Sequence, residues 1–243
     1  MEQSTVADNL RIRRERGPFS GLLAALLFFI FVSPFVSDEG AGKVFLYLSI
    51  FSIMIANAYI SASSRGLTAL SVVVLIVAGM AWLGPDVLPA GLDDVLRYSI
   101  IGLGTGFTAA LIVQSVVRHE KVSLDTILGG INAYLLIAIA FTFGHGVIAI
   151  VEPEAYLVGG VPIGSAVGVG ADGYATMLYF SLVTMTTLGY GDMVPIHPLA
   201  RLFAGAESVI GQLFVAIFIA RLVSLEVSQR GRDQATMGST DGL

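Results

Sequence analysis

Long uncharged runs constrain the fold of this chain more than any other feature of its sequence. Five of them, at 18–37, 44–64, 66–85, 98–117 and 126–151, contain no Asp, Glu, Lys or Arg. They are 20, 21, 20, 20 and 26 residues long, and about 20 apolar residues in a helix cross the hydrocarbon core of a bilayer. Only 13% of the chain is charged, against about 25% in soluble domains. The sequence therefore predicts a membrane protein and excludes a soluble enzyme or a nucleic-acid binder.

Two further segments complete the predicted topology. The run 173–191 is uncharged but rich in Thr, Gly and Ser, and the segment 202–220 is apolar except for Glu207. If 173–191 folds back without crossing and 202–220 crosses, basic residues collect on the side of the N-terminus, which is typical of the cytoplasmic side. We therefore predict six transmembrane helices with both termini in the cytoplasm. Ten of the thirteen basic residues then lie inside: Arg11, Arg13, Arg14, Arg16, Arg65, Arg118, Lys121, Arg221, Arg230 and Arg232.

The first apolar run has two interpretations, a retained helix or a cleavable signal peptide. Four arginines precede it, as in a signal peptide, but its apolar stretch is long and no Ala-x-Ala site follows before Asp38. These two features favour a retained helix.

The segment 174–192 contains the most specific motif of the sequence. Its first part, to about Thr186, has helical apolar spacing over three to four turns, and 187–192 is predicted to be non-helical. Such backbone is found at membrane depth only where it is buried in protein or lines an aqueous path. Rings of backbone carbonyls can replace the hydration shell of K⁺. Consecutive carbonyls face one axis when left- and right-handed dihedrals alternate, and Gly189 and Gly191 permit this.

The motif Thr187-Leu-Gly-Tyr-Gly-Asp192 resembles the selectivity filter of the potassium channel family, Thr-Val-Gly-Tyr-Gly-Asp, with Leu188 in place of the usual Val. The resemblance extends from Tyr174 to about Val223. It implies passive conduction of K⁺ with no enzymatic reaction and no cofactor. Because each chain carries one filter, it also implies a homotetramer in the plasma membrane. The K⁺-coordinating filter residues are then Thr187, Leu188, Gly189, Tyr190 and Gly191, of which the first four supply the carbonyls.

The predicted fold class is an all-α membrane protein with a re-entrant pore helix and filter between helices five and six. Its predicted parts are a cytoplasmic segment 1–17, a four-helix sensor-like domain 18–124, a pore domain 125–224 and a cytoplasmic tail 225–243. The tail is polar and we expect it to be disordered. The outer loop 152–172 is rich in Gly. We expect lipid and three further copies of the chain as partners, with no nucleic acid and no soluble regulatory domain.

Asp192, Thr184, Thr186 and Glu207 are predicted to support the filter. The resemblance implies that Asp192 forms hydrogen bonds behind it. Glu207 lies inside an apolar span, where an ionisable residue is costly and indicates a function. It has two interpretations: it raises the cation concentration in the pore, or it forms hydrogen bonds with pore-helix hydroxyls such as those of Thr184 and Ser181. Its place in the outer half of the span favours the second.

Two other residues also have two interpretations each. Gly211 follows Asp192 by 19 residues, the spacing of a gating hinge in many members of the family, but a small residue there also permits close helix packing. Gly205 is an alternative packing position. His145 is either a pH sensor or an interfacial histidine without a function, and we favour the latter.

The run 98–117 contains no arginine, whereas voltage-gated members of the family place one at every third position of this helix. Each charge that crosses the field contributes about 2.3 kcal/mol per 100 mV. We therefore predict a K⁺ channel without steep voltage gating. The sequence leaves two alternatives open, a non-selective cation channel of the same architecture and a secondary transporter.

Overall fold

The structure, a computed structural model, describes residues 18–35, 92–118, 122–164 and 171–240. The second and third predicted spans, 44–64 and 66–85, lie outside the described residues. So do the N-terminal arginines and the predicted cytoplasmic segment 1–17.

The described part of the chain is mostly helical. Helix α1 covers Pro18–Val32 and is followed by a 3-10 turn at Ser33–Phe35; α2 covers Leu92–Arg118, α3 Leu124–Val151, α4 Ala171–Met185 and α5 Pro198–Thr240. Local signals fix two of the helix starts. The Ser123 hydroxyl accepts a hydrogen bond from the Thr126 backbone N–H at 3.1 Å and caps α3. Pro198 opens α5, where its missing N–H costs no hydrogen bond.

Three described helices are long and apolar enough to cross a membrane: Leu92–Arg118, Leu124–Val151 and Pro198–Gly231. They contain the predicted fourth, fifth and last spans. The first predicted span forms the shorter helix α1. Helix α4 has 15 residues, about 22 Å at 1.5 Å per residue, which is too short to cross the hydrocarbon core.

Helices α1 and α2 pack against α3. At Gly102 on α2, an added Cβ would lie 2.9 Å from the Phe143 Cβ, so the glycine permits close approach to α3. The Tyr98 and Phe143 rings meet edge to face with centroids 5.5 Å apart. On the α1 side, the Asn132 side-chain amide donates to the Phe19 carbonyl at 2.7 Å. The centre of this core is therefore α3, which also carries one wall of the candidate site.

The loop between α3 and α4 contains strands, so the all-α prediction is wrong in this detail. Strands β1 (Tyr156–Val158) and β2 (Val161–Pro162) form an antiparallel hairpin, here called the outer hairpin. Strand β3 (Met193–Pro195) follows the filter motif and pairs with the other side of β1, with Val158 opposite Met193. The glycines at 159 and 160 have φ of +57° and +84°, which a tight turn requires.

Helix α5 is longer than predicted. It runs without a break from Pro198 to Thr240, so the expectation of a disordered tail after residue 225 is wrong for most of that segment. The Arg230 guanidinium bonds to the Glu226 carboxylate at 2.9 Å, an i,i+4 pair that favours the helix. Only 6% of the most apolar stretch of α5 is buried within the chain, against 50% for α3. Helix α5 thus presents a largely uncovered apolar surface.

Candidate functional site

Helix α4 ends at Met185, and the motif residues leave it as irregular backbone. Hydrogen bonds back to the helix fix the first turn of this segment. The Thr187 N–H donates to the Thr184 carbonyl at 3.0 Å, and the Leu188 N–H donates to the Val183 carbonyl at 2.9 Å. The base of the segment is therefore held by the C-terminal carbonyls of α4.

Backbone dihedrals alternate along the motif. Residues 187, 189 and 191 have φ of 58°, 59° and 78°. Among the non-glycine residues that the structure describes, Thr187 alone has a positive φ. The sequence predicted this alternation for Gly189 and Gly191, and the structure extends it by one residue to Thr187. Within the described ranges, no hydrogen bond engages the carbonyl oxygens of 187–190.

The residues of the motif are exposed in the single chain. Every residue from 186 to 192 is exposed, with Leu188 at 55% and Tyr190 at 68%. The Tyr190 side chain is therefore not buried within one chain.

The two predicted support threonines contact backbone at the end of α4. The Thr186 hydroxyl donates to the Leu182 carbonyl at 2.7 Å. Thr184 contributes its carbonyl, which accepts from the Ser208 hydroxyl of α5 at 3.1 Å. In the described part of the chain, the Thr184 hydroxyl forms no hydrogen bond to Glu207, whereas Ser181 does.

Asp192 lies directly after the filter and is held by α4. The Tyr179 hydroxyl donates to Asp192 Oδ2 at 2.6 Å, and the Met193 N–H donates to Asp192 Oδ1 at 3.0 Å. The hydrogen bond from Tyr179 lowers the pKa of the Asp192 carboxyl below its ordinary value. The partner Tyr179 could not be identified from the sequence, because it lies 13 positions before Asp192 and the chain between them reverses direction.

Glu207 is completely buried behind the pore helix. Its Oε1 accepts a hydrogen bond from the Ser181 hydroxyl, one of the two partners expected from the sequence. Its Oε2 lies 2.9 Å from His145 Nε2. Because its side chain is 0% exposed even in the single chain, the geometry favours the hydrogen-bonding interpretation of Glu207.

An interfacial histidine would be exposed at the surface of the chain, whereas His145 is buried inside it. The side chain is 0% exposed, and His145 Nδ1 lies 2.7 Å from the hydroxyl of Tyr156 in β1. Sequence reasoning missed Tyr156 because nothing in a Gly-rich loop indicates that its single tyrosine turns inward.

Gly211 is the packing glycine of α5. A Cβ added there would lie 2.5 Å from the Met185 carbonyl oxygen, at the last residue of α4, whereas one added at Gly205 would meet nothing within 4 Å. Close packing of α5 on the end of α4 therefore requires a glycine at 211.

Among the described residues, no group of three or more His, Cys, Asp or Glu side chains could hold a metal ion.

A protein-family model described as an ion channel matches residues 135–227. The match begins within α3 and ends within α5, so it contains the outer hairpin, α4 and the motif.

Several curated potassium channels resemble part of the chain. Two pore potassium channel a of Oryza sativa subsp. japonica is 42% identical over 53 residues, which are 22% of this chain and 15% of the rice protein. Two-pore potassium channel 1 of Arabidopsis thaliana is 40% identical over 58 residues, 24% of this chain and 16% of the relative. Potassium voltage-gated channel protein shk-1 of Caenorhabditis elegans is 44% identical over 46 residues, 19% and 9% of the two chains.

The chain spans less than a fifth of the length of each of these relatives. They are channels and not enzymes, in agreement with the prediction that the chain catalyses no reaction. No solved structure matches the chain.

Proposed function

We propose that this chain forms a K⁺-selective channel, because residues 135–227 match a family model described as an ion channel and stretches of 53 and 50 residues are 42% and 46% identical to two curated potassium channels. Ions pass down their gradient through sites made by the carbonyls of Thr187, Leu188, Gly189 and Tyr190, with Gly191 at the outer end. K⁺ is the permeant ion, and conduction needs no cofactor.

The observation that carries this proposal is the alternation of positive φ at residues 187, 189 and 191. A backbone whose dihedrals alternate in this way turns successive carbonyls toward the same side. Such carbonyls can replace the water that a K⁺ ion loses on entering a pore. The partial negative charge at the C-terminus of α4 adds to the attraction for a cation at the inner end of the filter.

Four copies of the chain complete the pore. One chain supplies one row of carbonyls, and a ring of them needs closed symmetry. The exposed Leu188 and Tyr190 and the uncovered surface of α5 are the parts of the single chain that neighbouring copies would bury. The homotetramer is thus the assembly that the exposed surfaces of the chain support.

In the proposed topology the chain crosses the plasma membrane six times. Helix α4 and the filter enter from the outer side and return to it, and both termini are cytoplasmic. The three long described helices and the helix α1 are four of these spans; the other two are the predicted spans 44–64 and 66–85.

Gating does not depend steeply on voltage in this proposal. Helix α2 carries Arg97 and Arg118 toward its two ends and no arginine between them. A helix without charges at membrane depth has little energy to gain from the field. The proposed channel therefore does not open through the movement of a charged sensor helix, and another stimulus opens it.

Potassium flux through liposomes that contain the purified protein tests this proposal. Wild-type protein should release K⁺ along its gradient with no coupled ion, whereas a secondary transporter would require one. The K⁺ flux of the Gly189→Ala variant should be at least about tenfold lower than that of wild type, because a Cβ at positive φ costs about 1–2 kcal/mol in each copy. Gly231→Ala is the matched control: it lies in α5 outside residues 135–227, and its Cβ would meet nothing within 4 Å. Equal flux in the two variants would contradict the filter assignment.

A further inference from the structure

We propose that His145 and Tyr156 are positioning residues for the filter, because they tie the outer hairpin to the pore helix α4 through Glu207. This inference rests on the proposed channel function and deepens it. It assigns a role to two residues outside the filter motif.

Four buried side chains from four elements form one hydrogen-bonded chain. Tyr156 of β1 lies 2.7 Å from His145 Nδ1 on α3, and His145 Nε2 lies 2.9 Å from Glu207 Oε2 on α5. Ser181 of α4 donates to the other Glu207 oxygen. All four residues are 0% exposed. Buried networks in which every member has a partner fix the relative positions of the elements that carry them.

The donors and acceptors are consistent with one direction along this chain. The Glu207 carboxylate accepts from Ser181 and from the Nε2–H of His145, so the remaining nitrogen, Nδ1, accepts from the Tyr156 phenol. Burial raises the pKa of the Tyr156 phenol above its ordinary value, so that the hydroxyl stays protonated and able to donate. Tyr156 thereby selects the tautomer of His145 that holds Glu207.

Aromatic rings hold the imidazole independently of these bonds. The His145 ring meets Phe180 and Phe203 edge to face, each at a centroid distance of 4.9 Å. The Tyr156 ring packs on Phe180 at 5.4 Å. A phenylalanine at 156 would keep this packing and lose only the hydroxyl. The variant Tyr156→Phe therefore tests the loss of the hydrogen bond to His145 without a loss of ring packing.

The same strand also contacts the outer end of the filter. The Gly159 N–H, one residue after β1, donates to the Asp192 carbonyl at 2.8 Å. Leu157 and Val158 pair with Val194 and Met193 of β3. The outer hairpin therefore reaches the filter by two routes, directly at Asp192 and through Tyr156, His145 and Glu207 at the back of α4. A change in the position of the outer hairpin is therefore transmitted both to Asp192 and, through Tyr156 and His145, to Glu207.

The test compares Tyr156→Phe with Tyr174→Phe in the full-length channel in lipid bilayers. Tyr174 lies on α4 and is also buried, but among the described residues its hydroxyl has no hydrogen-bond partner. Both variants thus remove one buried phenol hydroxyl. In Tyr156→Phe the steady K⁺ current at low external K⁺ should fall about five- to tenfold, the effect of one lost buried hydrogen bond. It should recover at high external K⁺, because bound ions stabilise the conducting filter by mass action. Tyr174→Phe should match wild type at both concentrations.

A second pair of variants keeps the proposal testable if Tyr156→Phe fails to assemble. In Glu207→Gln the amide oxygen can accept from His145 and the amide N–H can donate to Ser181, whose hydroxyl already lies 2.7 Å from the Ala138 carbonyl. The Gln variant should conduct within about threefold of wild type, whereas Glu207→Ala should show the same K⁺-dependent loss as Tyr156→Phe.

The outcomes that would contradict the positioning role differ from the outcome that would contradict the proposed channel function. A Tyr156→Phe channel that behaves like Tyr174→Phe at both K⁺ concentrations overturns the positioning role alone. So does a Glu207→Gln channel as impaired as Glu207→Ala, because the charge and not the hydrogen bonds would then matter. A wild-type protein that passes no K⁺ overturns the proposed function and this inference with it.

Discussion

At the scale of single residues, the site combines glycines that have a positive φ in the motif with buried polar side chains behind it. Gly189 and Gly191 have the positive φ that the sequence predicted, because a glycine at a conformationally demanding position is visible in the sequence itself. Glu207 and Ser181 were predictable as partners, since a buried acid in an apolar span needs a donor nearby.

The partners that the sequence did not indicate are those brought in from distant segments. Tyr179 reaches Asp192, and Tyr156 reaches His145. A tyrosine in an apolar helix or a Gly-rich loop has many possible positions, and only the tertiary fold selects one. A single sequence therefore does not indicate the hydrogen-bond partner of such a tyrosine hydroxyl.

The lowered pKa of Asp192 leads to a prediction on external pH. A carboxyl whose pKa is lowered in the folded state is stabilising above its ordinary pKa of about 3.9, and this contribution is lost as the pH falls through the lowered value. Tyr179→Phe removes the main cause of the shift. Acid block of the K⁺ current should then begin at a higher external pH than in wild type.

The measurement is the current at a series of external pH values, in wild type and Tyr179→Phe. His197, which is half-buried, is present in both channels and does not differ between them. The same midpoint of acid block in the two channels would show that the hydrogen bond does not control protonation at the mouth.

At the scale of helices and strands, each described span lies where the sequence predicts it, but several helices begin or end at residues that the sequence did not indicate. Helix α5 continues about twenty residues beyond the predicted span, because polar residues with i,i+4 pairs continue a helix into water. The strands of the outer hairpin have three and two residues. Segments this short give no alternation of apolar and polar residues from which a strand could be predicted.

The contact between α5 and α4 predicts the effect of a methyl group at position 211. Gly211→Ala should lower both the thermal stability of the assembled channel and its K⁺ current, because its Cβ would lie 2.5 Å from the Met185 carbonyl oxygen. Overpacking of this kind costs about 1–3 kcal/mol. Gly205→Ala, with open space around its Cβ within the chain, is the control and should change neither.

Thermal unfolding and K⁺ flux of the two variants separate the two interpretations of Gly211. Loss of stability together with current supports packing. An unchanged unfolding temperature with altered opening would instead support the predicted gating hinge.

At the scale of the whole molecule, one chain is an incomplete pore in the channel that we propose. The exposed filter and the uncovered surface of α5 lie in the same family-matched region, 135–227. The sequence could predict the need for further copies, because one filter supplies one wall of a pore. It could not predict which surfaces meet, since apolar residues that face lipid and those that face another chain look alike.

Two features of the whole chain set the character of the proposed channel. The absence of charged residues from 98–117 of helix α2 argues against a voltage sensor, and in our proposal the buried network behind α4 fixes the filter to the rest of the pore domain. Selectivity is the property that depends on both the carbonyl geometry and the support behind it. It is also the property in which a non-selective channel of the same architecture would differ.

The reversal potential of the wild-type current, with K⁺ on one side of a planar bilayer and Na⁺ on the other, tests the central claim most directly. A filter that coordinates K⁺ through the carbonyls of Thr187, Leu188, Gly189 and Tyr190 predicts a potential displaced far toward the K⁺ equilibrium value. A reversal potential near zero would mean that Na⁺ and K⁺ pass equally, and would contradict K⁺ selectivity.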